Sequence, residues 1–231
     1  LSRHSRRRRR TPLLSYHAMV PIIEDEALIL DHHRFRDRDL VVSMLCRTHG
    51  VQRGVLRRAR GGRTPAAAST QVLSRVHTTL FQKPAAELAT IQSIELEVSS
   101  YPIAKELERS AAGAAVAELL TTFCPPAEPM ERAYRLGCAA LEALLAGAEP
   151  NTVVAYVQFW LLLLSGLFPQ ASDLDDELTS SDAVFLERCR RLPLRDMSAG
   201  VPRGVARWLD RMVRSEAERP LRALSFLREN G

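Results

Sequence analysis

The hydrophobic pattern of the chain changes at residues 99–102, and this change constrains the fold more than any other feature of the sequence. Before it, apolar and polar residues alternate over short segments, as they do in β-strands with one buried face. After it, apolar residues recur at helical spacing between Pro, Gly and capping residues. The sequence therefore predicts a two-domain α+β protein, with a β domain over residues 19–100 and an all-helical domain over residues 101–231.

The β domain is predicted to be a small barrel, because five short strands follow one another with few helices between them. In the fifth strand, Ile94, Leu96 and Val98 share one face. Ile91 is out of phase with this face, which indicates a β-bulge at Gln92–Ser93. The predicted strands cover residues 27–30, 40–46, 51–56, 71–81 and 91–98.

The helical domain is predicted to contain six helices. The third of them includes an uncharged apolar stretch from Thr152 to Phe168, which lies between two prolines. This stretch is shorter than the ~20 residues that a membrane-spanning helix needs, so we expect a buried helix and no membrane association. The predicted helices lie near residues 103–123, 129–146, 151–167, 181–191, 202–216 and 219–229.

The positive charge of the chain is unevenly distributed. Lysine and arginine number 32 against 27 acidic residues, which gives a formal net charge of +5. Residues 1–18 contain Arg3 and Arg6–Arg10 but no carboxylate, and they are predicted to form a disordered basic tail. The sequence leaves open whether this tail is an added extension, a long native start, a transit peptide or a nucleic-acid-binding arm. Because the remaining chain is close to neutral, the overall charge does not identify a partner.

The clearest local feature is a window without any carboxylate between Asp39 and Glu87. Unneutralised cations over such a window are typical of a polyanion-binding surface. Its centre is an arginine-rich loop with two glycines, Arg57–Arg63, which can follow a phosphate backbone without reading bases. A solvated basic loop without a ligand is the alternative. The residues predicted to contact phosphates are Arg53, Arg57, Arg58, Arg60, Arg63 and Arg75.

A second basic feature is a row of arginines on the fifth predicted helix, opposite an apolar stripe. Such a surface suits an acidic peptide with a hydrophobic end. A solvated outer face is the alternative, because Asp210, Glu216 and Glu218 are close enough in sequence to neutralise part of the charge. The arginines of this row are Arg203, Arg207, Arg211 and Arg214.

Motifs of common NTPases, dehydrogenases, zinc proteases and serine hydrolases are absent from the sequence, so no catalytic residue and no cofactor is predicted. His32 and His33 are adjacent on a predicted strand and point to opposite faces, so they do not form a metal site together. The four cysteines are too dispersed for a disulfide framework and indicate a reducing compartment, and Cys124 and Cys138, on predicted helices, are expected to be small buried residues. The four are Cys46, Cys124, Cys138 and Cys189.

A family resemblance is carried, in this order along the chain, by the stretches Glu26–Asp31, Arg38–Val55, Arg57–Arg63, Leu88–Thr90, Ser100–Pro102, Leu107–Arg109 and Glu118–Leu120. These stretches and their order resemble the RecO family of bacterial DNA repair and recombination proteins. The similarity begins near Glu26, is dense in the predicted barrel and becomes loose after Pro169.

The resemblance implies an N-terminal OB-fold, a helical C-terminal domain and no enzymatic turnover. RecO-like proteins bind single- and double-stranded DNA, anneal complementary strands and, with RecR, help to load RecA onto strands coated by single-strand-binding protein. They also bind the acidic C-terminal tail of that protein through the helical domain, a role that the Arg203–Arg214 row would fit. A cytoplasmic protein associated with the nucleoid is expected.

Many members of this family carry a four-cysteine zinc module after the helix that corresponds to residues 151–167. Here the segment Pro169–Asp176 contains no cysteine, so no metal is predicted. Two other functions remain open. One is an RNA-binding OB-fold module, which the same basic window would serve, and the other is a helical adaptor that recruits proteins and uses its barrel only structurally.

Overall fold

The computed structural model describes residues 22–57, 59, 69–82, 86–169, 178–197 and 200–230. The predicted tail over residues 1–18 and most of the Arg57–Arg63 loop lie outside these ranges. Within the described residues, a closed five-stranded barrel is followed by six α-helices and two short 3-10 turns. The predicted fold class, a small barrel followed by a helical region, is confirmed.

The strands close in the order β1-β2-β3-β5-β4, and β4 pairs with β1 to complete the barrel. All neighbours are antiparallel except β3 and β5, which run parallel over three residue pairs. The strands are β1 (Ile22–Phe35), β2 (Asp39–Cys46), β3 (Gly50–Leu56), β4 (Arg75–Phe81) and β5 (Ala89–Val98).

The first strand is much longer than predicted, because β1 serves two neighbours. Its first part, Ile22–Leu28, pairs with β4, its longer part, Ala27–Phe35, pairs with β2, and the β1–β2 register skips Leu30. This bulge lets a single strand bend around the barrel. The predicted bulge in β5 is confirmed. Ser93 and Ile91 pair with the consecutive β4 residues Thr79 and Leu80, so Gln92 between them has no partner residue in the β4–β5 ladder. The predicted start of the fourth strand at Gln71 is wrong: residues 71–74 form a turn.

The six predicted helices are all present, with small shifts at their ends. Residues 103–105 form a 3-10 turn ahead of the first α-helix, and a second 3-10 turn covers residues 194–196. The α-helices are α1 (Leu107–Phe123), α2 (Glu131–Leu145), α3 (Pro150–Leu164), α4 (Ser180–Arg191), α5 (Arg203–Glu216) and α6 (Arg222–Asn230).

The uncharged helix α3 is buried in the helical domain, as predicted. Pro150 occupies its first turn, where the missing N–H does no harm, and the Glu149 carboxylate accepts hydrogen bonds from the backbone N–H groups of Asn151 and Thr152. Helices α1, α2 and α5 pack against it. None of the helices in the described part of the chain is both long and apolar enough to span a bilayer.

Two hydrophobic cores share the first two strands. The barrel interior contains Ala27 and Ile29 of β1 together with Met44 of β2. The alternate residues Leu28 of β1 and Leu45 of β2 point outward and are fully buried in the core of the helical domain. One outer side of the barrel is therefore covered by helices, and barrel and helices pack as one unit.

Polar contacts of the β2–β3 turn also hold the barrel against the helical domain. The backbone N–H of Ala127 donates to the carbonyl of Val51, and the Arg47 guanidinium lies 3.1 Å from the Glu131 carboxylate of α2. Between them, Gly50 adopts a φ of +65° and lies directly against the backbone of Glu128. These contacts fix the orientation of the barrel on the helical domain.

Candidate nucleic-acid interface

On the far parts of β2 and β3, the outer face of the barrel does not belong to the core that the described helices form; it is exposed at Arg53, although Val41 of β2 on the same face is buried. Along β3, Gly54 and Leu56 point into the barrel, whereas Arg53, just before them, is exposed. Arg53 lies opposite Ser43 of β2, and Arg57 follows the end of β3 with its side chain also exposed. The strand 2–3 face is the surface that OB-folds use to bind oligonucleotides. We call this surface, with Arg53, Arg57 and Ser43, the barrel face.

Three of the six arginines predicted to contact phosphates, Arg58, Arg60 and Arg63, lie outside the described residues. The chain re-enters the described part at Ala59, which is buried in the barrel core, and again at Ser69. The predicted arginine-rich loop is thus described only at Arg57 and Ala59. Its role in binding stays a prediction.

Arg75 has a different environment from Arg53 and Arg57. It begins β4 on the side that faces the helices, and its guanidinium lies 3.1 Å from the Glu97 carboxylate and 3.6 Å from that of Glu142 on α2. Its side chain is 30% exposed. The Arg75 guanidinium is therefore already paired with two carboxylates, and Arg75 does not lie on the barrel face.

A basic hairpin tip was missed by the sequence reasoning. Arg34, Arg36 and Arg38 are exposed at the β1–β2 turn, and the Arg36 guanidinium lies 5.2 Å from the centre of the Phe35 ring. This turn lies before the carboxylate-free window, which begins only after Asp39. The alternation of arginine with aromatic and acidic residues at a hairpin was the available signal.

The arginine row on α5 is exposed as predicted, and we call it the α5 arginine stripe: Arg203, Arg207, Arg211 and Arg214. The opposite side of α5 is buried, with Val205 and Leu209 in the helical core. Asp210 does not neutralise the stripe, because its carboxylate lies 2.9 Å from the guanidinium of Arg228 on α6 and also accepts from Gln158. The site of the acidic tail on this stripe stays a prediction.

A second basic surface lies between α2 and α3, where a groove of about 670 Å³ opens. Its floor is apolar, and two arginines of α2 line its edge. The Trp160 indole N–H donates to the carbonyl of Cys189 and the Tyr156 hydroxyl to that of Leu192, so the aromatic side chains are held in place. The lining residues are Arg132, Arg135, Leu136, Ala139, Tyr156, Trp160, Leu164, Pro193 and Leu194.

The cysteines and histidines offer no metal site in the described residues, where no group of three potential ligands occurs. Cys124 is buried as predicted, whereas Cys138 is only partly buried because it lies at the edge of the helical core. Cys46 and Cys189 are also buried, and burial raises the pKa of the thiols of Cys46, Cys124 and Cys189 to about 12. His32 and His33 are both exposed at the far end of β1.

The described part of the chain is an OB-fold-like barrel fixed to a helical domain, and OB-folds are a class of barrel in which many members bind oligonucleotides or oligosaccharides. The chain belongs to the RecO family. The family model described as "Recombination protein O N terminal" matches residues 19–99, and the one described as "Recombination protein O C terminal" matches residues 104–174.

Relatives with the name DNA repair protein RecO include proteins from Koribacter versatilis, Bacillus subtilis and Listeria monocytogenes. The first is 27% identical over 146 residues, which is 63% of this chain and 59% of the relative. The second is 26% identical over 146 residues, or 63% of this chain and 56% of the relative. The third is 24% identical over 173 residues, or 71% and 67%. The chain thus spans under two thirds of the first two relatives.

Proposed function

We propose that the chain is a DNA-binding protein of repair and recombination, which binds single- and double-stranded DNA through the barrel face and promotes annealing of complementary strands. The observation that carries the proposal is the asymmetry of the barrel. One outer side is buried against helices, and the other presents the exposed Arg53 and Arg57, neither of which forms an ion pair with a described side chain. The names of the relatives agree with this role.

Annealing follows from charge neutralisation. Two DNA strands repel each other through their phosphates, and a cationic surface that releases their counterions lowers this repulsion. Because Arg53 and Arg57 reach phosphates and exposed aromatic side chains are few near them, the bases stay available for pairing. The loop arginines Arg58, Arg60 and Arg63 extend the same surface in this proposal.

The proposed partners are a RecR-like protein, single-strand-binding protein and, indirectly, RecA. For the acidic tail of single-strand-binding protein, the groove between α2 and α3 supports a site better than the α5 arginine stripe. A tail with a hydrophobic end needs an apolar pocket beside its cations, and the groove combines Trp160 and Leu164 with Arg132 and Arg135.

The DNA-binding proposal is tested by changing Arg53→Gln and Arg57→Gln together in the full chain. We expect the affinity for single-stranded DNA at low salt to fall about tenfold, and the slope of log K against log salt to become shallower by about 1.4, since each phosphate contact contributes about 0.7. Fluorescence anisotropy with a labelled oligonucleotide measures both quantities. The matched control is Arg190→Gln with Arg195→Gln, which removes two exposed charges from the helical domain.

Three outcomes separate this proposal from its rivals. Equal affinity of the double variant and the parent would remove the barrel face from DNA binding. Preference for RNA over DNA of the same sequence would favour an RNA-binding module. A parent protein that binds no nucleic acid at low salt, yet retains binding of an acidic peptide, would favour a helical adaptor.

The groove is tested with a peptide that copies the acidic tail of single-strand-binding protein. We expect Arg135→Glu to weaken peptide binding more than tenfold, because it places like charge beside the acidic residues. Arg211→Glu on the α5 arginine stripe is the comparison, and isothermal titration calorimetry is the measurement. If only Arg211→Glu weakened peptide binding, the tail would bind the α5 arginine stripe and not the groove.

A further inference from the structure

The β1 strand has an open edge along its second part. On this edge β4 pairs with the first part of β1, and the last backbone hydrogen bonds join Ile29 to Ser74 and to Leu73, at 3.0 and 2.7 Å. Beyond them β1 continues as Asp31–Phe35, and β2 is the only described segment that pairs with this part. In an antiparallel pair, every second residue directs its N–H and C=O groups away from the neighbouring strand. The edge over Asp31–Phe35 therefore presents backbone groups that no described strand engages.

This part of β1 is exposed on both of its faces. The side chains of Asp31, His32, His33 and Arg34 point alternately to the two faces, and all four are exposed. Pairing with β2, and not burial, therefore holds the strand in place here. An exposed strand edge of this kind is a template to which an extended segment of another chain can add.

An apolar pocket of about 240 Å³ opens beside the open edge. His32 of β1 lines it together with Leu73, Ile103 and Ala114, so it lies where the chain around Leu73 leaves β1 and where α1 begins. The Ser100 hydroxyl in its lining already donates to the carbonyl of Val72, at 2.7 Å, and does not require a polar ligand. Since an apolar cavity of about 150 Å³ holds benzene, this pocket has room for a leucine or phenylalanine side chain.

The edge and the pocket form one site, because His32 belongs to both. A strand added beside Asp31–Phe35 would direct every second side chain to the face of His32, next to which the pocket opens. In β-augmentation of this type, main-chain hydrogen bonds supply affinity and a pocket for alternate side chains supplies specificity. Tyr101 lies in sequence between the lining residues Ser100 and Ile103 and is 60% exposed, so it extends the apolar surface around the pocket.

Two other occupants fit this site less well. If the edges of two copies of the chain paired, each would offer only His32 and Arg34 on the pocket side, and a guanidinium is costly to bury in an apolar pocket. Single-stranded nucleic acid is disfavoured by charge. The hairpin Asp31–Asp39 carries three arginines and three aspartates, so it has no net charge with which to attract phosphates.

We propose that the edge Asp31–Phe35 and the adjacent pocket, which we call the β1 edge site, bind an extended peptide segment of a partner protein. The segment adds one strand to the barrel and places an aliphatic or aromatic side chain in the pocket. Its sequence alternates, with an apolar residue at every second position. The β1 edge site shares no residue with the barrel face, so peptide and DNA contact different residues of the barrel.

The test uses the full chain and a synthetic peptide of about nine residues, the length of an ordinary strand, in which threonine and leucine alternate between two terminal glutamates. NMR titration of isotope-labelled protein should show saturable binding, with the shifted amide signals in Asp31–Phe35 and in the pocket lining. Replacing the leucines of the peptide by alanine should weaken binding about tenfold, because the pocket then loses its apolar occupant.

Backbone methylation of the peptide separates strand addition from unspecific apolar binding. In an extended peptide the N–H groups of the threonines point to one edge and those of the leucines to the other. Methylation of one of these two sets should abolish binding, because it removes the donors that face β1, whereas methylation of the other set should change the affinity less than threefold.

A variant of the protein blocks the pocket from the side of α1. Ala114 lines the pocket and is only partly buried, so Ala114→Leu fills the pocket without overpacking the core. It should weaken peptide binding about tenfold and leave the affinity for DNA unchanged. Ala183→Leu is the matched control, since it adds the same side chain at an exposed position of α4, and it should bind the peptide like the parent.

Several results would overturn the inference. They are a parent chain that does not bind the peptide, equal binding of both methylated peptides, and an Ala114→Leu protein that binds like the parent. Amide shifts confined to the groove between α2 and α3 would place the peptide there and also contradict the β1 edge site. If Ala114→Leu lowered DNA affinity while the parent bound no peptide, the site would belong to the nucleic-acid surface. None of these results tests Arg53 or Arg57, so the proposed function of the barrel face stands or falls separately.

Discussion

The imidazole Nδ1 of His49 lies 2.8 Å from the buried carboxylate of Asp25, and Thr48 donates to the same carboxylate oxygen from its backbone N–H and its hydroxyl. Asp25 is on β1 and the other two residues form the β2–β3 turn, so one carboxylate fixes the turn that contacts the helical domain. Burial by itself would raise the pKa of Asp25, but the hydrogen bonds from His49 and Thr48 outweigh it and lower the pKa below its ordinary value of 3.8.

Asp25→Asn is therefore expected to lower the free energy of unfolding by about 2 kcal/mol at pH 7, because the amide replaces a charged acceptor by a group that is half donor. A carboxyl with a depressed pKa in the folded state contributes stability above its unfolded pKa and loses it as pH falls through the folded value. The difference between variant and parent should thus shrink as pH falls below about 4.

Urea unfolding at several pH values measures this difference. Asp31→Asn is the matched control, since Asp31 is an exposed carboxylate on the same strand. It should change the free energy of unfolding by no more than about 0.5 kcal/mol. An Asp25→Asn protein as stable as the parent at pH 7 would show that the turn does not depend on this carboxylate.

Gly50→Ala tests the contact between the β2–β3 turn and the helical domain. A Cβ at this position would lie 2.1 Å from the backbone oxygen of Glu128, and the φ of +65° adds strain. Gly147 has a φ of +90° but only the end of the Arg109 side chain nearby, at 3.5 Å, so Gly147→Ala reports the backbone strain alone. We expect a loss of about 1 kcal/mol at Gly147 and about 3 kcal/mol at Gly50. Thermal or urea unfolding measures both, and equal losses would contradict the contact.

Glu118 of α1 holds the last helix in place. Its carboxylate accepts hydrogen bonds from the backbone N–H groups of Arg222 and Leu224, at 2.6 and 3.1 Å, and so caps α6. A helix of nine residues depends on such a cap and on packing, because it is too short to be stable alone. Glu118→Ala should lower the local stability of α6 by about 1 kcal/mol and speed its amide exchange about fivefold.

Hydrogen exchange with mass spectrometry locates this effect. Exchange in residues 222–230 should accelerate, whereas the barrel strands should exchange as in the parent. Glu108→Ala provides the control, since Glu108 is an exposed glutamate in the first turn of α1, the helix that also carries Glu118. Acceleration throughout the chain would mean that Glu118 stabilises the whole domain rather than α6.

The fold was predictable from local patterns because alternation and helical spacing are local properties. The continuous apolar run Ala27–Leu30 also held information about burial on both faces, since a strand with one open face would alternate. In the structure Ala27 and Ile29 fill the barrel, whereas Leu28 and Leu30 fill the helical core. The length of β1 was not predictable, because its exposed second half is held by pairing with β2 rather than by burial.

The candidate sites were less predictable, because they depend on which distant elements meet. Arg75 lies in a window without carboxylates, yet the chain brings Glu97 and Glu142 to it from β5 and α2. Asp210 neighbours the α5 arginines in sequence but is engaged by Arg228 of α6. The groove combines side chains of α2 and α3 whose spacing along the chain carries no signal. Each case requires the tertiary arrangement, which charge counting does not supply.

Variants of Arg75 and Arg53 distinguish a residue that stabilises the fold from a residue that binds DNA. Because its guanidinium is shared by Glu97 and Glu142 at the junction of barrel and helices, Arg75→Gln should lower the free energy of unfolding by about 1 kcal/mol, a modest value since all three side chains are partly exposed. Its effect on DNA affinity should be less than threefold. Arg53→Gln should do the reverse, with unchanged stability and a clear loss of DNA affinity. Urea unfolding and fluorescence anisotropy on both single variants provide the four values.

A double-mutant cycle between Arg75→Gln and Glu142→Gln then isolates the ion pair between the barrel and α2. A coupling energy near zero, together with a large loss of DNA affinity in Arg75→Gln, would show that Arg75 belongs to the DNA-binding surface.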